Sequence, residues 1–200
     1  MLTRIKASFQ NLVAGLTCAF HGMGFTPNTM SILGLALSFI SAALYYSWNK
    51  DLVLVPVAGA IFLLSGLCDA LDGAMAKIYG QATVFGGIID SVFDRVSEAA
   101  VFFALILGGL CEPVWGLLAL IGSYLVSYTR SRAEAAGVPM ETVGIAERAE
   151  RVVILVGASF LALAFREAMN YGAALIGLLS FITFAQRLLH VRTMAARRAS

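Results

Sequence analysis

Six apolar stretches, at about 29–48, 52–76, 84–110, 113–133, 150–166 and 170–191, take up most of this 200-residue chain. A membrane crossing needs about 20 apolar residues in a helix, so the pattern predicts an all-α integral membrane protein with six transmembrane helices. The breaks between stretches carry turn or charge signals: Asn49-Lys50-Asp51, Tyr79-Gly80-Gln81, Cys111-Glu112-Pro113, Gly137-Val138-Pro139 and Arg166-Glu167 before Asn170. The fifth stretch is the shortest. With 60% hydrophobic and 13% charged residues, the chain has too few charges to coat a soluble domain, where about 25% is usual. The same scarcity excludes disorder. A net charge of +2 without a long basic run gives no footprint for nucleic acid.

The first twenty residues place Arg4 and Lys6 ahead of an apolar run that contains Gln10 and Asn11 and lacks a small-residue cleavage site. This argues against a signal peptide. Ile5, Phe9, Leu12, Val13, Leu16 and Phe20 fall near helical spacing. Residues 1–25 are therefore expected to form an interfacial amphipathic helix, and residues 26–200 one transmembrane domain. Six spans put both termini on one side, together with the 2–3 and 4–5 connections. That side holds twelve Lys and Arg residues, and the other only Lys50 and Arg166. So strong a bias predicts cytoplasmic termini. Cys18, Cys68 and Cys111 are odd in number and widely spaced, which fits buried small hydrophobes rather than disulfides or zinc ligands.

Against this background five acidic residues stand out within or beside spans two and three: Asp69, Asp72, Asp90, Asp94 and Glu98. A charge in hydrocarbon costs about 2.5–3.5 kcal/mol on insertion scales, so compensation is required. Asp69 and Asp72 are three apart and Asp90 and Asp94 four apart, so each pair shares a helix face. Span two reaches its pair late and span three early, about 9–15 Å along at 1.5 Å per residue. If the two spans form a hairpin, the pairs face each other just under the cytoplasmic interface. Four hard oxygen donors suit Mg²⁺, Mn²⁺ or Ca²⁺ and not zinc. Two other readings compete: buried ion pairs with Lys77 and Arg95, and an ion or proton pathway in a cation transporter. Gly73, Gly80, Gly86 and Gly87 fit close helix packing, while Gly73 beside Asp72 would also let a diphosphate approach the backbone.

In full, the segment runs Asp69-x-x-Asp72-Gly73-x-x-Ala76-Lys77, eight residues, then Gly86-x-x-x-Asp90-x-x-x-Asp94. It resembles the signature of the CDP-alcohol phosphatidyltransferases, matching seven of the eight fixed positions and placing Lys77 where the family usually has Arg. The change keeps the charge and loses the guanidinium fork. Thr26-Pro27-Asn28-Thr29 resembles the family's segment that closes over the cytidine nucleotide, and is also a good helix cap. The resemblance implies transfer of a phosphatidyl-type group from a CDP-linked lipid to an alcohol, with release of CMP. It implies metal ligation by Asp69, Asp72 and Asp90, and a general base at Asp94 that also touches a metal. Two ions, Mg²⁺ or Mn²⁺, are implied per site. Thr26, Pro27, Asn28, Thr29, Gly73, Lys77 and Thr83 become candidates for CDP-lipid contacts, Thr83 being a helix-cap candidate as well. Homodimerisation is implied by the family alone.

Two further segments, 127–134 and 144–151, together with Gln186-Arg187, resemble the subgroup whose acceptor is inositol phosphate. Arg130, Arg132, Arg148 and Arg187 stand at the cytoplasmic ends of spans four to six and are expected to form an acceptor-phosphate pocket, since guanidinium groups bind phosphate bidentately. Positive-inside anchoring is the alternative, and it accounts for Arg192, Arg197 and Arg198. The expected acceptor is inositol 1-phosphate, with glycerol 3-phosphate or another small alcohol as the rival.

Overall fold

The computed structural model describes residues 13–140 and 143–199. It is all helical: α1 (Val13–Gly22), α2 (Pro27–Tyr46), a 3-10 turn at Trp48–Lys50, α3 (Leu54–Ile78), α4 (Val84–Leu107), α5 (Pro113–Ala135), α6 (Arg148–Leu161) and α7 (Ala168–Ala199). Each expected stretch is a helix. By length and composition α2, α3 and α7 are able to cross a membrane. Helices α4 and α5, at 24 and 23 residues, carry charges near the site. Helix α6 has 14 residues, about 21 Å at the usual rise. Phe39, Leu64, Phe103, Leu117, Val153 and Leu189 are exposed around the outside of the bundle. An apolar exterior of that extent belongs against lipid, and the chain is a membrane protein.

The N-terminal part of the expected interfacial helix, including Arg4, Lys6, Ile5, Phe9 and Leu12, lies outside the described residues, as do the side chains of Arg197 and Arg198. In α1, Val13, Leu16 and Phe20 pack with Met30, Cys68, Leu71 and Met75. Because α1 buries only that face, Cys18 is exposed and departs from the expectation for the three cysteines. Cys68 and Cys111 are buried, and all three are free.

Helix α2 packs on α3 and α4, α3 on α6, and α5 on α7. Small residues make these approaches close. A Cβ on Gly59 would come within 2.8 Å of the Cβ of Ser159, and one on Gly122 within 2.8 Å of that of Ser180. Buried polar side chains bond across the same seams, as expected where lipid offers no partner. Ser65 donates to Gly34 O (2.8 Å), Ser41 to Ala58 O (2.7 Å), and Tyr45 Oη lies 2.6 Å from Ser159 Oγ. At the other end from the site, Trp48 donates to Gly108 O and carries Arg166 over its ring.

Candidate active site

Helix α3 ends at Ile78, and beyond its cap residue Tyr79, Gly80, at φ 64°, makes the left-handed turn into the segment that starts α4. The expected hairpin is not a directly packed pair: α3 and α4 each pack on α2, and the reversal brings Asp90 of α4 to Asp69 and Asp72 of α3. One carboxylate oxygen from each of Asp69, Asp72 and Asp90 lies within 4.8 Å of the others. Asp72 is 4% exposed and accepts a 2.5 Å hydrogen bond from Ser31 on α2. Three clustered hard oxygens suit a divalent cation such as Mg²⁺ or Mn²⁺, and these residues would hold it.

Asp94 sits one turn further along α4. Arg148 Nη1 lies 2.6 Å from Asp94 Oδ1 and 2.7 Å from Asp69 Oδ2, while Arg95 approaches Asp94 at 3.4 Å. The main countercharge is thus Arg148, from the start of α6. Lys77, weighed for that role from the sequence, is exposed and has no ion pair among the described residues. Arg148 belongs to two places at once, since it also lines the larger cavity beside the carboxylates.

That cavity, of about 610 Å³, is bounded by Asp90, Asp94 and Arg95 on α4, Tyr124, Ser127 and Arg130 on α5, Arg148 and Arg151 on α6, and Arg187 on α7. Arg130 also pairs with Glu134 at 2.9 Å. Arg187 is 2% exposed and donates to Val143 O, Val126 O and Glu147 Oε1. Three of its five N–H groups are used within the protein, so it shapes the cavity wall as well as charging it. The structure brings Arg130, Arg148 and Arg187 together and leaves Arg132 out: it is exposed and is not among the lining residues. Arg130 and Arg132 are two apart on one helix and face different ways.

Thr26, Thr29 and Thr83 are helix caps. Thr26 and Thr29 form a reciprocal capping box at the start of α2, with Pro27 in its first turn. Thr83 accepts from Gly86 N at 2.9 Å to start α4. Asn28, Gly73 and Lys77 are exposed at the same end of the bundle. A Cβ on Gly73 would meet nothing within 4 Å, so packing does not require this glycine and its open face is available to a ligand.

Several residues of the site, or their partners, could not be assigned from the sequence. Ser31 reads as an ordinary apolar-helix serine until α2 is laid against α3. Glu98 and Arg151, both buried, form a pair at 2.6 Å, and Thr183 on α7 accepts from the backbone N–H groups of Ile145 and Ala146. Glu98 stands out as a buried acid, but its partner is 53 positions away.

A helical membrane scaffold with a carboxylate cluster opening onto an arginine-lined cavity has a place for a cation and a place for an anion side by side, which suits a phosphoryl-group-transferring membrane protein. The CDP-alcohol phosphatidyltransferase family model matches residues 25–186, and the chain belongs to that family. It is 39% identical over 187 residues to an archaetidylinositol phosphate synthase of Pyrococcus horikoshii, covering 94% of each chain. It is 32% identical to a phosphatidylinositol phosphate synthase of Mycobacteroides abscessus, covering 94% of this chain and 87% of the relative. Among solved structures it resembles a Mycobacterium tuberculosis phosphatidylinositol phosphate synthase with CDP-DAG bound. The TM-score is 0.76 at 29% identity, over 90% of this chain and 94% of that one. A second structure of that enzyme, in complex with manganese and citrate, aligns with TM-score 0.76 and 30% identity over 90% and 89% of the two chains. Family membership removes the transporter reading.

Proposed function

We propose that this enzyme transfers a phosphatidyl-type group, diacylglycerol-phosphate or archaeol-phosphate, from a CDP-linked lipid to a hydroxyl of inositol 1-phosphate and releases CMP. The observation that carries the acceptor assignment is the cavity lined by Arg130, Arg148 and Arg187 directly against Asp90 and Asp94. A neutral alcohol would not need three guanidinium groups beside the chemistry. The names of the archaeal and mycobacterial relatives support the same acceptor and both kinds of lipid.

Asp69, Asp72 and Asp90, with Asp94 beside them, would hold the divalent cation, Mg²⁺ or Mn²⁺, as two ions per site. When bound, the cation neutralises the diphosphate and stabilises the leaving CMP. Asp94 takes the proton of the attacking hydroxyl, because an alcohol is a weak nucleophile at neutral pH. The acceptor oxygen bonds to the lipid-bearing phosphorus, and the bond from that phosphorus to the CMP oxygen breaks. Arg130, Arg148 and Arg187 hold the acceptor phosphate so that its hydroxyl meets Asp94. Gly73, Lys77, Thr83 and the Thr26–Thr29 segment line the approach of the CDP-lipid. Six helices, α2 to α7, span the membrane with both termini and the site on the cytoplasmic side, where twelve of the fourteen Lys and Arg residues fall. The N-terminal helix lies at the interface, and the enzyme works as a homodimer.

The test is CMP release by the purified protein with CDP-diacylglycerol or CDP-archaeol, Mg²⁺, and one acceptor at a time. Inositol 1-phosphate should support turnover, and glycerol 3-phosphate and free inositol should not. Turnover with glycerol 3-phosphate and none with inositol 1-phosphate would reverse the acceptor assignment.

A further inference from the structure

Arg148 reaches the carboxylates from the first turn of a short helix, and what precedes that helix is a strap, residues 143–147, with no regular structure of its own. Three side chains from two helices hold the strap. Thr183 on α7 accepts from the N–H groups of Ile145 and Ala146 at 3.3 and 3.0 Å. Arg187 on α7 donates to Val143 O at 2.8 Å. Arg151 on α6 donates through Nη1 to Ala146 O at 3.0 Å.

Arg151 is itself anchored. Its Nε and Nη2 both donate to Glu98 Oε1, at 2.9 and 2.6 Å, and both side chains are 3% exposed. Glu98 lies four residues beyond Asp94 on the same face of α4. Its second oxygen lies 3.8 Å from Nε of Arg95, whose Nη2 reaches Asp94. The guanidinium of Arg151 thus bridges Glu98 and the strap, unlike that of Arg148, which contacts only the site's own carboxylates among the described ion pairs.

We propose that Glu98 is a positioning residue: through Arg151 it fixes the strap on α4, and so sets where Arg148 stands between the carboxylates and the acceptor cavity. The inference rests on the proposed anionic acceptor and adds to the site a residue beyond the end of the Asp69–Asp94 signature. Only a fork-shaped guanidinium binds Glu98 and Ala146 O together, so charge alone does not substitute for it.

Three variants separate positioning from folding. Glu98→Gln and Arg151→Lys should each raise the KM for inositol 1-phosphate about tenfold or more, while the KM for CDP-lipid stays within about twofold, as expected for charged hydrogen bonds that act on one substrate only. A single Glu98→Gln leaves a buried cation unpaired and should lower the thermal midpoint in detergent. The double variant Glu98→Gln/Arg151→Gln removes both charges, so its midpoint should recover towards wild type while the acceptor KM stays high. Recovery of both together in the double variant, or parallel rises of both KM values across the set, would make the pair purely structural and overturn the proposal. So would an unchanged acceptor KM in Glu98→Gln and Arg151→Lys. Wild-type turnover with inositol 1-phosphate, measured alongside, tests the acceptor assignment separately: if another phosphate-bearing acceptor is the one turned over, the same KM comparison is made with it.

Discussion

The carboxylate side and the arginine side of this site are built in opposite ways. Asp69, Asp72, Asp90 and Asp94 come from two helices joined by one short turn, α3 and α4, which both pack on α2. Arg130, Arg148 and Arg187 come from α5, α6 and α7 and meet only when those helices dock. Spacing along two consecutive helices sets which carboxylates share a face, while the arginines are brought together by packing alone. The carboxylate half should therefore respond to substitution of its own residues, and the arginine half also to changes in whatever holds its helices and strap.

The largest expected effect tests the carboxylate side. Asp94→Asn should lower CMP release by about 10³-fold, within the range for a lost general base, with divalent-cation binding at least partly retained. Equal loss of binding and turnover would show instead that Asp94 serves mainly as a ligand. On the other side, Arg148→Gln should raise the acceptor KM by about 10- to 100-fold, since bonds to charged groups contribute about 1.5–3 kcal/mol. A larger effect on CDP-lipid KM than on acceptor KM would move Arg148 to the carboxylate half.

Ser31→Ala removes the hydroxyl that donates to Asp72. Partners of metal ligands typically tune affinity 10- to 100-fold, so the Mg²⁺ concentration for half-maximal turnover should rise about tenfold while the acceptor KM holds. Gly144→Ala probes the strap. Its φ is 125°, and a Cβ there would run into Cγ2 of Thr183. The strain should cost about 1–3 kcal/mol, seen as a lower thermal midpoint together with a raised acceptor KM. Arg132→Gln is the control. Its side chain is exposed and outside the cavity, so acceptor KM should change less than twofold, consistent with the ±0.5 kcal/mol usual for surface sites.

The sequence was most informative where neighbours in the chain become neighbours in space. Asp69 and Asp72, and Asp90 and Asp94, declare a shared face by their spacing, and Gly80 marks the turn between them. Thr26 and Thr83 were readable as caps for the same reason, because a cap acts within four residues. Arg132 failed that test: a cation at a helix end has a position in the chain but no direction until the helix has neighbours. Lys77 and Arg95 were the nearest cations in sequence to the aspartates, yet the stronger partner, Arg148, lies beyond an entire helix and a strap. Glu98 was conspicuous as a buried acid, and its partner Arg151 was not identifiable without the packing of α4 and α6.

By itself the sequence determined the membrane setting, the approximate places of the described helices and which aspartates share a helix face, because hydrophobic length and helical spacing are local properties. The tertiary structure decided which arginines face the carboxylates, which of them the protein uses to hold its own backbone, and which buried acid anchors the strap. Those choices depend on contacts between segments far apart in the chain, where a charge finds its partner only after the helices have packed and excluded the alternatives.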